Sequence, residues 1–245
     1  MAAKRKATAA SALGGLNWRD IRRHYSERKK THAELLRLFE RREVDEFVDL
    51  ILGVDDPTGN YSANDHELGP KILGNNLSSK KQVWGLASRF LTVTSGKDVP
   101  ALIRNAAISY LAISVGSEAS CMLKPDRCWV TNVRTVWTHL VFQYDGLFEK
   151  ANEALRTFRE KNPDSEMRYE RWMDPFHREL LQTLDQVRLE GNRCAIEAGV
   201  RPGQVKFLWT DAIASALYDT HHRRSPRFRA TASGWVSGRT FRLRG

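Results

Sequence analysis

The chain is 245 residues long, 41% hydrophobic and 28% charged, with 39 Lys and Arg against 29 Asp and Glu and a formal net charge of +10. That apolar share supports a real core and excludes a wholly disordered chain. A mean hydropathy of −0.50, with no run of about 18 apolar residues, excludes a membrane-spanning helix, and three irregularly spaced cysteines (Cys121, Cys128, Cys194) exclude a disulfide framework and point to a reducing compartment.

Apolar spacing predicts helix almost throughout. After a possible cap at Asn17, Trp18, Ile21 and Tyr25 fall on one helical face. Thr31 and Glu34 read as a capping-box pair opening a second helix through Leu35, Leu38, Phe39, Phe47, Val48 and Ile51, which Gly53 ends. Residues 54–77, rich in Gly, Pro and Asn, read as a long irregular connection. Ser79 and Gln82 open a helix through Val83, Trp84, Leu86, Phe90 and Leu91, with a short strand at Phe90–Thr94 as the exception to helix. Asp98 caps a helix with Pro100 in its first turn and Leu102, Ile103, Ala106, Tyr110 and Leu111 on its apolar side.

Asp126 begins the next predicted helix, through Trp129, Val133, Val136, Trp137, Leu140 and Tyr144. A shorter one runs from Leu147 to Lys161 and stops before Pro163. Asp174-Pro175 starts a helix that carries Leu180, Leu184, Val187 and Cys194 and that Gly199 ends, and the last helix holds Val205, Phe207, Leu208, Ile213, Leu217 and Tyr218. The fold class is mostly α: a basic N-terminal arm (1–16), a multi-helix globular body (17–220) and a C-terminal arm (221–245), both arms flexible. The body reads either as one composite domain or as two lobes dividing near 116–125 or 163.

The positive charge is segregated. Residues 1–19 hold Lys4, Arg5, Lys6 and Arg19 with no acid. Residues 220–245 hold Arg223, Arg224, Arg227, Arg229, Arg239, Arg242 and Arg244, again with no acid. The stretch between, 20–219, carries 28 basic against 29 acidic residues. A near-neutral body with two cationic ends reads as a domain whose arms grip a polyanion. In the C-terminal arm the arginines alternate with Phe228, Trp235 and Phe241, which suits single-stranded nucleic acid: guanidinium groups take phosphates and rings stack on unpaired bases.

On the body, Arg104, Arg127 and Arg134 are further phosphate-contact residues, Arg127 and Arg134 sharing a helical face at a spacing of seven. Arg134 lies among Val133, Val136 and Trp137, surroundings that demand a partner, either phosphate or an acidic side chain. Trp84, Trp129, Trp137 and Trp209 occupy core positions, whereas Trp18, Phe228, Trp235 and Phe241 are the aromatics expected to plug a neighbouring subunit.

Neither a phosphate-binding GxxxxGK[ST] loop nor GxGxxG, CxxC or HExxH is present. His177-Arg178-Glu179 has the HxE half of a zinc deaminase signature without the PCxxC half, and His221-His222 belongs with the cationic arm. No metal, no cofactor and no catalytic residue is expected, and the chain does not read as an enzyme.

This layout resembles the nucleocapsid and filamentous coat proteins of RNA viruses, in which a helical core binds RNA and terminal arms link subunits. The resemblance rests on layout and size, so no family residue is carried across. It implies a structural protein that binds single-stranded RNA without sequence preference and forms a homo-oligomeric filament or shell, located in the virion and host cytoplasm. The same charges also suit a matrix or scaffold protein on an anionic membrane or acidic partner, or a DNA-binding regulator. The composition of the first 19 residues also fits a mitochondrial presequence, and Lys4–Lys6 a nuclear-import signal.

Overall fold

Asn17 opens a helix that runs unbroken from Trp18 to Arg41 (α1), its side chain accepting the Asp20 amide. Thr31 is therefore interior to a helix rather than the start of one, and its hydroxyl donates to the Glu27 carbonyl. The cause is a continuous stripe: Trp18, Ile21, Tyr25, Arg28, Thr31, Leu35 and Leu38 recur at helical spacing and all are buried. The break expected at Thr31 comes instead at Arg42, which takes the left-handed conformation (φ 58°) and closes α1 by donating to Phe39 O. A separate helix, Val44–Ile51 (α2), follows and ends at Gly53 (φ 66°).

The computed structural model describes residues 11–54, 60–64, 67–74, 77–160 and 173–221. Within the connection read as irregular, it contains two short helices, Tyr61–Asn64 (α3) and Leu68–Leu73 (α4). Asn60 explains the order: its buried amide donates to Ile51 O and Val115 O while its Oδ1 accepts from the Ala63 amide.

The next helix, Leu77–Thr92 (α5), takes up most of the strand predicted at Phe90–Thr94. Its C-terminal carbonyls meet a cation, as the helix dipole favours: Lys124 Nζ donates to Leu91 O and Val93 O at 2.9 and 2.7 Å. After a 3-10 turn at Gly96–Asp98, Val99–Ala106 (α6) ends five residues short of the expected Leu111, because Ala107 (φ 48°) and Tyr110 (φ 63°) turn the chain.

Ile113–Leu123 (α7) forms where the sequence suggested a junction, and Val115 to Leu123 are all buried. The helix expected from Asp126 starts at Val133 (α8, Val133–Gln143), where Asn132 and Thr135 build a reciprocal capping box. Phe148–Glu160 (α9), Met173–Glu197 (α10) and Lys206–His221 (α11) lie close to expectation, and α10 ends before Gly199 (φ 70°) as anticipated.

Beside a helical turn at 11–14, the described residues form eleven α-helices and one 3-10 turn, with no strand among them, which makes the body a multi-helix, mostly α fold. The buried apolar residues form one cluster reaching from Ala12 to Tyr218. Its centre is α11, packed on α1, α8 and α10. No described helix is long and apolar enough to cross a membrane.

Candidate functional site

Four ionic side chains from four helices meet inside this core. Arg28 of α1 and Glu118 of α7 are fully buried, Asp211 of α11 is 3% exposed and Arg134 of α8 is 7% exposed. Arg28 Nη1 donates to Glu118 Oε1 at 2.8 Å, and its Nη2 lies 3.3 Å from Asp211 Oδ2. Glu118 also accepts from the Tyr61 amide (3.1 Å), the Ser62 amide (3.1 Å) and the Ser62 hydroxyl (2.7 Å), so its two oxygens are shared between α1 and α3. Asn132, the cap of α8, donates to Ser62 Oγ at 3.3 Å. Both guanidiniums face the Tyr61 ring, at 5.3 Å for Arg28 and 5.6 Å for Arg134, and the Tyr61 hydroxyl meets His24 Nδ1 at 3.2 Å.

Two cations therefore oppose two carboxylates, and the balance makes charge tolerable in the interior. Burial opposes ionisation of Glu118, but Arg28, the Ser62 hydrogen bonds and Arg134 outweigh it and hold that carboxyl below its usual range. Asp211 goes the other way: burial, with repulsion from Glu118, outweighs both arginines and lifts it to about 6. Burial and the neighbouring arginines push His24 down to about 4, so it is neutral at pH 7. The Cys121 thiol is driven well up, by burial first and then by Asp211, which keeps it protonated. These charges lie within the body, where they tie α1, α3, α7, α8 and α11 together.

The opposed shifts set an acid profile. Asp211, raised in the fold, stabilises fully below the ordinary aspartate range, a contribution lost as pH rises through about 6. His24, lowered in the fold, stabilises above 6.5, a contribution lost as pH falls through about 4. Between pH 4 and 6.5 the two slopes offset. Asp211→Asn leaves His24 uncompensated, so its melting temperature should fall from pH 6.5 to 4.5 more steeply than that of the unsubstituted protein, by up to about 1.4 kcal/mol of stability per pH unit. Parallel melting curves for the two proteins across this window would show that the residues do not offset each other.

The sequence-predicted residues fall into three groups. Arg104, in the last turn of α6, and Arg127 are exposed, as phosphate contacts require. Arg134 is not: it is buried with the acidic partners that the sequence reading offered as the alternative to phosphate, and its charge acts on Glu118 and Asp211. Nor do Arg127 and Arg134 share a helix face, since Arg127 precedes α8. Trp18 is corrected as well. It continues the buried stripe of α1, is 4% exposed, and packs on Trp209 with ring centroids 6.1 Å apart, so it is committed to its own core. Lys4, Arg5, Lys6, Arg223, Arg224, Arg227, Arg229, Arg239, Arg242, Arg244, Phe228, Trp235 and Phe241 lie outside the described residues.

Trp129, Trp137 and Trp209 are buried as expected, and the half-buried Trp84 stacks on Phe39 at 4.5 Å. All three cysteines are free and buried. His177 stacks on Trp129 at 4.5 Å, with Nε2 donating to Gly96 O (2.8 Å) and Nδ1 accepting from the Thr131 hydroxyl (2.6 Å). A carbonyl only accepts, so this partner fixes the tautomer, and the HxE histidine is a hydrogen-bonded core residue. His221 stacks on Phe148 at 4.2 Å. Among the described residues no cluster of three His, Cys, Asp or Glu could hold a metal ion.

The sequence reading missed Arg28, Glu118 and Asp211. A signal for the two acids was present: each is the lone charge in an apolar helical run, Ile113–Leu123 for Glu118 and Phe207–Tyr218 for Asp211. Arg28 gave less notice, since it follows Glu27 and precedes Lys29 and Lys30, although its position continues the stripe of Trp18, Ile21 and Tyr25. No protein-family model, no curated protein and no solved structure matches this chain.

Proposed function

We propose that this chain is a structural protein that coats single-stranded RNA through phosphate contacts, in the manner of a viral nucleocapsid or coat protein, and that it self-associates through its terminal arms. The observation that carries this reading is the segregation of charge: a body of 28 basic and 29 acidic residues over 20–219, flanked by acid-free ends with four and seven basic residues. Interleaving of arginine with Phe228, Trp235 and Phe241 favours an unpaired strand over a duplex, because stacking needs exposed base faces. A helical body locked by internal ion pairs is a platform consistent with repeated packing of identical subunits.

Purified full-length protein mixed with a single-stranded RNA should form nuclease-resistant particles that appear as filaments or shells in electron micrographs and absorb strongly at 260 nm. Complete digestion of the RNA together with dispersed monomers would overturn the proposal.

A further inference from the structure

We infer that the body has its own RNA-docking surface, on the outer side of the first half of α1 together with the neighbouring Arg201. The inference rests on the RNA-coating proposal and adds the part of the body that would take the strand. Arg19, Arg22, Arg23, Lys29 and Lys30 lie off the buried stripe of α1, and over Trp18–Lys30 only Asp20 and Glu27 oppose them. At 1.5 Å per residue these cations span about 16 Å of helix.

The 199–205 loop is held against the same stretch. Arg22 Nη1 donates to Pro202 O at 3.3 Å, and the Tyr25 hydroxyl accepts the Gln204 and Val205 amides at 3.1 and 3.0 Å. These bonds bring Arg201, exposed and next to Pro202, beside the helix.

The second half of α1 shows what a neutralised face looks like. There Arg37 bridges Glu34 and Glu43, and Arg41 reaches Glu43. Elsewhere Lys80 bridges Asp45 and Asp49, Lys206 bridges Asp185, and Arg193 bridges Glu190 and Glu197. In the first half of α1, Arg23 pairs with Asp20, while among the described residues no acidic side chain bridges Arg19, Lys29, Lys30 or Arg201. Such a surplus of exposed cations attracts a polyanion, and the surface continues in sequence from the basic 1–19 segment. A single strand fits it better than a flat anionic surface, because the cations follow one helix rather than a plane.

The test is full-length protein with Arg19, Arg23, Lys30 and Arg201 all changed to alanine, titrated with a 20-nucleotide oligouridylate over a range of salt. Loss of four phosphate contacts should make the plot of log affinity against log salt shallower by about 3. These side chains are exposed, so the melting temperature should stay near that of the unsubstituted protein. The charge-reversed double variant Arg19→Glu, Arg23→Glu removes the same four units of charge and should weaken binding to a similar degree. An unchanged slope in both variants, while deletion of 220–245 still weakens binding, would overturn this inference alone. Failure of the unsubstituted protein to bind any RNA would overturn the RNA-coating proposal with it. Loss of binding to phosphatidylserine vesicles with RNA binding intact would assign the surface to a membrane and overturn the inference too.

Discussion

Arg28→Ala should destabilise the body by about 3–5 kcal/mol, because it leaves two buried carboxylates facing the single cation Arg134. At about 2–4 °C per kcal/mol for a domain of this size, the melting temperature should fall by roughly 6–20 °C. The loss has two parts. Arg28 is fully buried, so truncation empties part of the core, and the Glu118 oxygen it met at 2.8 Å loses its strongest partner.

The electrostatic part can be separated by a second change. Adding Asp211→Asn to Arg28→Ala leaves one carboxylate opposite one guanidinium, so the double variant should be more stable than the single one. Acid should act in the same direction. Without Arg28 the Asp211 carboxyl titrates still higher, since Arg28 opposes its rise more strongly than Arg134 does, and the damage from Arg28→Ala should shrink below pH 6. A single variant that loses less than about 1 kcal/mol, or an Asp211→Asn that deepens the loss, would contradict a balanced charge cluster.

Removal of residues 220–245 is expected to have the largest effect on RNA binding. The segment carries seven arginines and no acid. If each neutralises one phosphate on a single strand, the full chain's plot of log affinity against log salt should be steeper than the truncated chain's by about 5. From 50 to 200 mM salt, the truncated protein should therefore lose about a thousandfold less affinity than the full chain. Stability should fall only by the loss of the His221–Phe148 stack at the end of α11, because the residues of that helix that fill the core, Phe207 to Tyr218, remain. Changing Phe228, Trp235 and Phe241 to alanine in the full chain should weaken binding and leave the slope intact, since stacking is nearly indifferent to salt while phosphate contacts are not. Equal slopes for the full and truncated chains would remove the arm from the binding mechanism.

Helical periodicity was legible wherever an apolar stripe was long and its end was marked by chain chemistry. Met173–Glu197 with Gly199 beyond it and Phe148–Glu160 ahead of Pro163 are such cases. It was misleading where a local signal competed with a longer one. Thr31 with Glu34 looks like a cap, but the buried stripe through Arg28, Thr31 and Leu35 carries the helix past it. The Asp126 start signal loses to Asn132, whose side chain can reach both the Arg134 and Thr135 amides.

At the candidate site, Arg134 shows how far residue-by-residue reading reaches. Its apolar neighbours demand a counter-charge, which the sequence offered either as phosphate or as an acid. The fold supplies Glu118 from the preceding helix and Asp211 from α11, more distant in the chain.

The sequence by itself determined the class of the fold, the extent of the last three helices and the separation of a neutral middle from two cationic ends. Each of these depends on residue type and on spacing within a few turns. Only the tertiary structure decided that Trp18 is a core residue, that Arg134 faces inward, and that Arg28 closes on Glu118, ninety residues away. The physical reason is that hydrogen bonds within a helix are set by neighbours three and four residues apart. Which charges meet in the interior depends on how the whole apolar surface is buried, and spacing along the chain carries no record of that choice.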